Sequence, residues 1–345
     1  MPSSPTRRTV AVGLLTTLGL LAGAVPAEAG VVFGLTGSTL AGGFRWDAAP
    51  RTLGGLERSL DDGLRYSVSG GSYQAFRDSY TWSGTAPSVA AFQGAVEQAF
   101  GAWTTTDPVT GVRGMFTFRP DFGTAVNTAI VSNVRQGAEI DIHAFNFGDT
   151  GTRGDTFFSA VGGSVTLTSG TTGYAAAPIS GADIRINNNP GAVYTLDLFR
   201  RLLTHEIGHA IGLGDVEGDF NPGAFIDDNL DVSSSSAALA TLTNSWALLV
   251  NPLDPSASSG LFRTTAPYAD PGVLTTGVDL LMESRGLGIA PGNPIGNQVP
   301  LTNDEYGTRQ FLYPDAQPVP EPAALLALGA GTVGLLRLAR RRRAE

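Results

Sequence analysis

The chain has 345 residues, a formal net charge of −9 and 42% hydrophobic residues. That length and apolar content allow a sizeable hydrophobic core and argue against a disordered protein. An acidic chain repels phosphate backbones, which excludes nucleic acid as a partner, and the lack of cysteine excludes disulfides, cysteine metal ligands and thiol nucleophiles. The 45 glycines and 21 prolines predict many tight turns, in a fold that mixes helices and strands.

The N-terminus has the pattern of a secretory signal peptide over residues 1–29. A basic pair at 7–8 precedes an apolar stretch at 10–24, and residues 27–29 form an A-x-A cleavage site. The alternative, a membrane anchor, is disfavoured because the apolar stretch is short and is followed by the cleavage site. We therefore expect export by the general secretory route, with signal peptidase as the processing partner.

The next part of the chain is predicted to form a sheet and its first helix. Residues 30–85 are an N-terminal segment that leads into a first strand at 63–68. At 88–103, apolar side chains recur every three or four residues and predict an amphipathic helix. A Gly- and Asp-rich loop is predicted at 148–163. Further strands are predicted at 115–118, 139–145 and 182–186.

A second helix carries most of the chemically informative residues. It is predicted to begin after Thr195, a suitable N-cap, with Asp197 in its first turn, and to run to the glycines at 212 and 214. Within it, residues 205–209 read His-Glu-Ile-Gly-His, which is the H-E-x-x-H pattern. Two of the three histidines in the whole chain belong to this motif.

The motif predicts a catalytic zinc site. His205 and His209 lie one helical turn apart on the same face, so both can bind one zinc ion. Glu206 lies beside that face, where its carboxylate can take a proton from a zinc-bound water. Gly212 can adopt the left-handed conformation that ends the helix and turns the chain back, which brings Asp215 toward the metal. Three protein ligands leave the fourth position to water.

The string from His205 to Asp215, H-E-x-x-H-x-x-G-x-x-D, resembles the zinc signature of the metzincins, with aspartate in place of the third histidine. Met282 resembles the methionine of the turn beneath the metal in that family, and residues 301–313 resemble the closing helix of matrixin-like catalytic domains. The resemblance covers about 88–314. It implies an α+β, metzincin-like zincin fold, with a twisted mixed sheet, an active-site helix, a long insertion and a small C-terminal subdomain containing the Met-turn.

The spacing of these motifs predicts the domain organisation. Asp215 and Met282 are 67 positions apart, more than is usual for matrixins, so we expect an insertion at 216–278. After the signal peptide and the N-terminal segment, the expected units are an N-terminal catalytic subdomain at 86–215, a C-terminal subdomain at 216–314 and a sorting tail at 315–345.

The remaining candidate metal ligands are one histidine and two groups of aspartates. Matrixins hold a structural zinc with several histidines, and only His143 remains here, so we expect no second zinc and interpret His143 as a packed or surface strand histidine. Ca²⁺ is a second candidate cofactor, because two groups of aspartates offer oxygen ligands, although turn-forming aspartates are the favoured alternative. The groups are Asp149, Asp155 and Asp183, and Asp227, Asp228 and Asp231.

The C-terminal tail has three features in order. Residues 319–322 read Val-Pro-Glu-Pro, an apolar run follows at 323–336, and an arginine cluster occupies 340–343. The apolar run is too short to cross the ~30 Å hydrocarbon core of a bilayer, which disfavours an uncleaved tail anchor. The tail closely resembles the PEP-CTERM sorting signal of Gram-negative bacteria. That resemblance implies processing by an exosortase, only transient membrane contact, and delivery to the cell surface or extracellular matrix.

Together these features predict an exported zinc-dependent endopeptidase that hydrolyses protein or peptide substrates with a zinc-bound water activated by Glu206. An edge strand near 163–168 is expected to bind the substrate as an added strand. One alternative is a catalytically inactive surface or matrix-associated protein on a metzincin fold. It is favoured by Ser284, which stands where astacin-like members carry a tyrosine that stabilises the transition state. A metal-dependent hydrolase of polysaccharide or lipid is another.

Overall fold

The computed structural model describes residues 43–106, 113–170, 176–215, 224–226, 262–264, 281–282, 301 and 303–313. Its helices are α1 (Tyr73–Asp78), α2 (Val89–Thr104), α3 (Leu196–Ala210) and α4 (Asn303–Leu312), with a short 3-10 turn at Ser69–Gly71. None of these helices is both long and apolar enough to span a bilayer.

The strands of the described ranges form one main sheet and several small ones. In chain order they are β1 (Phe44–Arg45), β2 (Thr52–Leu53), β3 (Leu56–Glu57), β4 (Leu64–Val68), β5 (Thr81–Trp82), β6 (Phe118–Pro120), β7 (Ile130–Val131), β8 (Val134–Arg135), β9 (Ile140–Phe145), β10 (Gly154–Ala160), β11 (Ala177–Asn187), β12 (Val193–Tyr194), β13 (Ala224–Ile226) and β14 (Phe262–Thr264). The main sheet has the order β1-β11-β9-β4-β6, with all neighbours parallel. Strand β10 adds to β11 in the antiparallel sense.

Helices α2 and α3 pack together because both carry apolar side chains at helical spacing. The Ser88 hydroxyl caps α2 by accepting a hydrogen bond from the Ala91 amide, and the Thr195 hydroxyl caps α3 by accepting one from the Leu198 amide. The Trp103 indole at the end of α2 donates to the Thr204 carbonyl, which fixes one helix against the other. Both helices form where the sequence predicts them.

The two faces of the main sheet differ in polarity. In β9 and β11, Ile140, Ile142, Ile184 and Ile186 are fully buried in the same core as the apolar faces of α2 and α3. Side chains alternate along a strand, so the residues between these isoleucines point to the opposite face. The predicted strands at 139–145 and 182–186 are confirmed, and the core lies on the helix side of the sheet.

The prediction of a loop over 148–163 was wrong, because Gly154–Ala160 forms β10 and pairs along β11. The sequence Gly-Asp-Thr-Phe-Phe-Ser-Ala lacks apolar alternation and begins with turn-forming residues, so only its pairing with β11 makes it a strand. Of the predicted strand at 115–118, only Phe118 takes part in a strand, β6.

The segment at 163–168 was predicted to be an edge strand that is free to bind substrate. Its backbone is instead hydrogen-bonded to Asp47 and Ala48, in the N-terminal part of the chain. The Thr166 amide donates to the Asp47 carboxylate, and the Thr166 carbonyl accepts from the Ala48 amide. Among residues 163–168, only Val165 takes part in strand-like backbone pairing. The main sheet also begins earlier than predicted, because Phe44–Arg45 already pairs with β11.

The C-terminal end of α3 is held by residues from both ends of the described chain. The Trp46 indole donates to the Ala210 carbonyl over 3.0 Å, and the Tyr313 hydroxyl donates to the Ile211 carbonyl over 2.6 Å. The Arg45 guanidinium donates to the Leu312 carbonyl at the end of α4. The last carbonyls of a helix have no partner within it, so these bonds fix the place where α3 ends.

Candidate metal centre

Two imidazoles of α3 and one carboxylate meet at a single point. The Nε2 atoms of His205 and His209 are 3.0 Å apart. Asp215 Oδ1 lies 3.1 Å from Nε2 of His205 and 3.3 Å from Nε2 of His209. Ligand atoms bound to one zinc at about 2.1 Å and tetrahedral angles lie roughly 3.4 Å apart. The spacing of the three atoms therefore suits a shared zinc ion.

Hydrogen bonds to backbone carbonyls orient both rings. Nδ1 of His205 is 2.8 Å from the Leu281 carbonyl oxygen, and Nδ1 of His209 is 3.0 Å from the Leu213 carbonyl oxygen. A carbonyl can only accept, so each Nδ1 carries a hydrogen, and a ring in its neutral form directs its Nε2 lone pair at the shared point.

These atoms need a positive charge between them. Two Nε2 lone pairs and a carboxylate oxygen within about 3 Å of one another repel unless a cation or a proton lies among them. Oδ1 of Asp215 is buried, and its nearest partners among the described residues are the two Nε2 atoms of His205 and His209. The donor set, two imidazoles and one carboxylate, is one that zinc accepts. The residues therefore fit a zinc ion.

The charges of this cluster compensate for its burial. Burial lowers the pKa of His205, but the hydrogen bond and the charge of Asp215 outweigh it and raise that pKa to about 9. Burial raises the pKa of Asp215, but His209 and His205 outweigh it and hold that pKa well below its usual range. Without metal, the site therefore holds an imidazolium paired with a carboxylate at neutral pH.

Zinc binding at pH 7 is expected to release about one proton per site, because the ion must displace the proton from His205. The pKa of His205 is raised to about 9, so the proton is bound below pH 9 and apparent zinc affinity falls roughly tenfold per unit as pH falls. Calorimetric titrations in two buffers of different ionisation enthalpy measure the release. Zinc binding with no proton release at pH 7 would contradict this assignment, and the release should disappear near pH 10.

Glu206 lies beside the cluster and is held by β10. Thr156 Oγ1 donates to Glu206 Oε2 over 2.7 Å, and both side chains are buried. A Cβ atom on Gly154 would lie only 2.7 Å from Glu206 Oε1, so the strand passes close to the carboxylate. Burial raises the pKa of Glu206, which suits a general base that works near neutral pH. Thr156 could not be predicted from sequence, because the pattern of its strand predicts a loop.

Replacing Thr156 with valine is expected to lower kcat about 10- to 100-fold, because the carboxylate loses a charged hydrogen bond that orients it. Zinc content should not change, and Thr156→Ser should restore activity. Thr124→Val is the matched control, since it removes a 2.8 Å hydrogen bond from a threonine to the Asp121 carboxylate, at a partly buried position just after β6. Equal kcat values for Thr156→Val and the wild type would show that Thr156 does not position Glu206.

Gly212 makes the turn that returns the chain to the cluster. Its φ is 103°, a conformation that glycine adopts far more readily than other residues. A Cβ atom at this position would also collide with the Phe44 carbonyl of β1. The turn places Leu213, whose carbonyl orients His209, and Asp215 three residues beyond the glycine.

Gly212→Ala is therefore expected to lower the free energy of unfolding by about 1–3 kcal/mol, because alanine is strained at positive φ and meets backbone. Gly94→Ala is the matched control, because Gly94 lies in α2 with open space around it, and there alanine should stabilise by up to about 1 kcal/mol. Denaturant unfolding measures the free energy of unfolding of both variants and of the wild type. Equal stabilities would contradict the described turn.

Met282 lies directly against α3, between the two histidine positions. Its side chain is fully buried, and its sulfur is 2.5 Å from where a Cβ atom on Gly208 would stand. The glycine of the motif thus allows the thioether to touch the helix backbone. The Met282 amide donates to Glu305 of α4, while the neighbouring Leu281 carbonyl accepts from His205. The turn at 281–282 therefore links α4 to a predicted metal ligand.

Asp149, Asp155 and Asp183, the first group of predicted calcium ligands, do not form a metal-binding group among the described residues. Asp149 accepts bonds from the amides of its own turn, Asp155 pairs with Arg185, and Asp183 pairs with Arg135. These partners are typical of structural aspartates. Calcium is thus not supported at these residues. The second group, Asp227, Asp228 and Asp231, lies outside the described residues, as does Ser284.

A three-ligand centre next to a buried glutamate is the arrangement of a zinc-dependent hydrolase. Residues 103–220, about a third of the chain, match the family model of the dual-action HEIGH metallo-peptidases. The matched segment runs from the end of α2 through α3, where residues 205–209 spell the letters HEIGH. The match supports a zinc metallopeptidase that acts on protein or peptide substrates. A search of curated proteins found no match.

Proposed function

We propose that this chain is an exported zinc endopeptidase of the metzincin type, in which His205, His209 and Asp215 hold the metal and Glu206 is the general base. The observation that carries the proposal is the convergence of three buried ligand atoms beside a buried glutamate. The HEIGH family match supports the peptidase class.

Zinc, when bound, supplies a Lewis acid that polarises the scissile carbonyl and makes water more acidic. Glu206 takes a proton from the attacking water and delivers it to the leaving amine. Thr156 holds Oε2 of this carboxylate, which leaves Oε1 to exchange the proton. Leu281 and Leu213 fix the tautomers of His205 and His209 through their carbonyl groups.

Strand β10 is the best candidate to bind the substrate. It pairs with β11 on one side and, among the described residues, with no second strand. An extended peptide can add to such an edge through backbone hydrogen bonds. Because Gly154 and Thr156 of this strand contact Glu206, a peptide bound there would lie close to the general base.

The metzincin subtype and the export route rest mainly on sequence. The signature from His205 to Asp215 and the buried Met282 beneath α3 support the subtype. Residues 1–29 and 315–345 lie outside the described residues. Their signal-peptide and PEP-CTERM patterns support processing by signal peptidase and an exosortase, with delivery to the cell surface or extracellular matrix.

The full chain, incubated with casein and a peptide library, is expected to cleave peptide bonds. A chelator should abolish cleavage, and added zinc should restore it. A zinc-loaded protein that cleaves no peptide would instead support an inactive matrix-associated protein. Cleavage of polysaccharide or lipid esters, with peptides untouched, would support a hydrolase of another class.

A further inference from the structure

A second group of potential metal ligands lies on the opposite face of the sheet from the helices. Asp141 and His143 belong to β9, and Asp183 belongs to β11 directly opposite Asp141. They alternate with the isoleucines that face the core, so they point away from α2 and α3. One donor atom from each of the three lies within 4.8 Å of the other two, and all three residues are buried.

Two donor atoms of this group make no hydrogen bond with any described residue. They are Nε2 of His143 and Oδ1 of Asp183, in residues that are only 8% and 4% exposed. The two atoms face each other at 3.7 Å, which is too long for a hydrogen bond. The 3.7 Å distance is close to the roughly 3.4 Å that separates two ligand atoms of one zinc ion. A buried carboxylate oxygen without a hydrogen bond is costly, so this pair of atoms points to a missing ligand.

The charged side chains around this group do not neutralise it fully. The Arg135 guanidinium pairs with Oδ2 of Asp183 and thus neutralises one of the two carboxylates. Asp141 accepts hydrogen bonds from the Ser67 hydroxyl and from the backbone amides of Asn127 and Ala138, all of them neutral donors. The other charged side chain on this face of β11, Arg185, is paired with Asp155. Arg58 also interacts with Asp141, but its guanidinium is paired with Glu139, so the group retains a buried negative charge.

Two glycines let the backbone pass very close to the side chains of this group. Gly137 has a φ of 107°, and a Cβ atom there would collide with the Asp141 carboxylate. Gly181, with a φ of 143°, leaves room for the Arg135 side chain in the same way. Only glycine lets the chain approach these side chains so closely. The segment that carries Arg135 and Gly137 thus closes over the polar face of the sheet.

We propose that Asp141, His143 and Asp183 form a second, structural site for a divalent transition-metal cation such as Zn²⁺. An imidazole with two carboxylates suits zinc better than Ca²⁺ or Mg²⁺, which prefer oxygen ligands alone. The site binds the cation between β9 and β11, on the side of the sheet away from the catalytic cluster, and stabilises the folded state. It places all three histidines of the chain at metal centres, contrary to the expectation of no second zinc.

The first test counts bound zinc in the full chain by elemental analysis after dialysis. We expect about two ions per chain for the wild type and about one for His143→Gln, which removes the imidazole ligand while keeping a polar side chain. His143→Gln should also lose part of the zinc-dependent rise in the unfolding temperature. Equal zinc contents in the two proteins would overturn the second site and leave the proposed peptidase unaffected.

The second test needs no variant. In the wild-type chain labelled with ¹⁵N-histidine, zinc should shift the ring resonances of all three histidines, whereas Ca²⁺ should shift none. If zinc shifts the two α3 histidines and leaves the third unchanged at saturation, His143 is not a ligand. If zinc shifts only His143, the catalytic cluster is the site that fails. The two proposals are therefore tested separately.

Discussion

Replacing Glu206 with glutamine is expected to lower kcat by about 100- to 10,000-fold while zinc content stays unchanged. Glutamine keeps the size of the side chain and can still hydrogen-bond with Thr156, but it cannot take a proton from water. The three metal-binding atoms are contributed by other residues, so the metal should remain. Peptide hydrolysis and zinc content, measured on the same preparation, separate the two effects.

Glu97→Gln is the matched control, because Glu97 is exposed on α2 and makes its hydrogen bond with Gln93. Its kcat should equal that of the wild type. If Glu206→Gln cleaved peptides as fast as Glu97→Gln, a different group would have to be the base, and the proposed role of Glu206 would be wrong.

Asp215→Asn is expected to weaken zinc binding by at least about 100-fold and to abolish activity at micromolar zinc. Loss of a residue that merely supports a ligand already costs about 10- to 100-fold. Here the change removes a ligand charge and leaves two imidazoles to hold the ion. Competition with a chromophoric chelator measures the affinity. Unchanged affinity would show that Asp215 does not bind the metal.

Two further variants control this result. Asp78→Asn removes a charge from an aspartate whose side chain is 51% exposed and should leave zinc affinity unchanged. Asp215→His replaces the anionic ligand with a neutral imidazole, which should keep the metal. It should also make the zinc a stronger Lewis acid, so the activity optimum of Asp215→His should lie at lower pH than that of the wild type. Identical pH profiles would count against a carboxylate ligand.

The helices and central strands could be predicted from sequence because their apolar spacing and caps are local patterns. The apolar spacing of α2 and α3, with Ser88 and Thr195 as caps, depends only on neighbouring residues. Strand β10 was missed because its stability comes from pairing with β11, which no local pattern reveals. For the same reason, the contacts of residues 163–168 with Asp47 and Ala48 were not foreseen.

The residues of the candidate metal centre can likewise be predicted from sequence only where local patterns determine them. The places of His205 and His209 follow from the helical period, and the turn at Gly212 follows from the conformational freedom of glycine. The residues that support them come from distant segments: Thr156 from β10 and Leu281 from the turn beneath α3. The second ligand group joins two strands, and sequence alone gave no reason to place Asp141 beside Asp183.

The most direct test of the central claim is a zinc-loaded crystal of the full chain, measured at the zinc absorption edge. We expect an anomalous peak within about 2.1 Å of Nε2 of His205, Nε2 of His209 and a carboxylate oxygen of Asp215. A peak that excludes Asp215, with its side chain turned to solvent, would contradict the proposed centre.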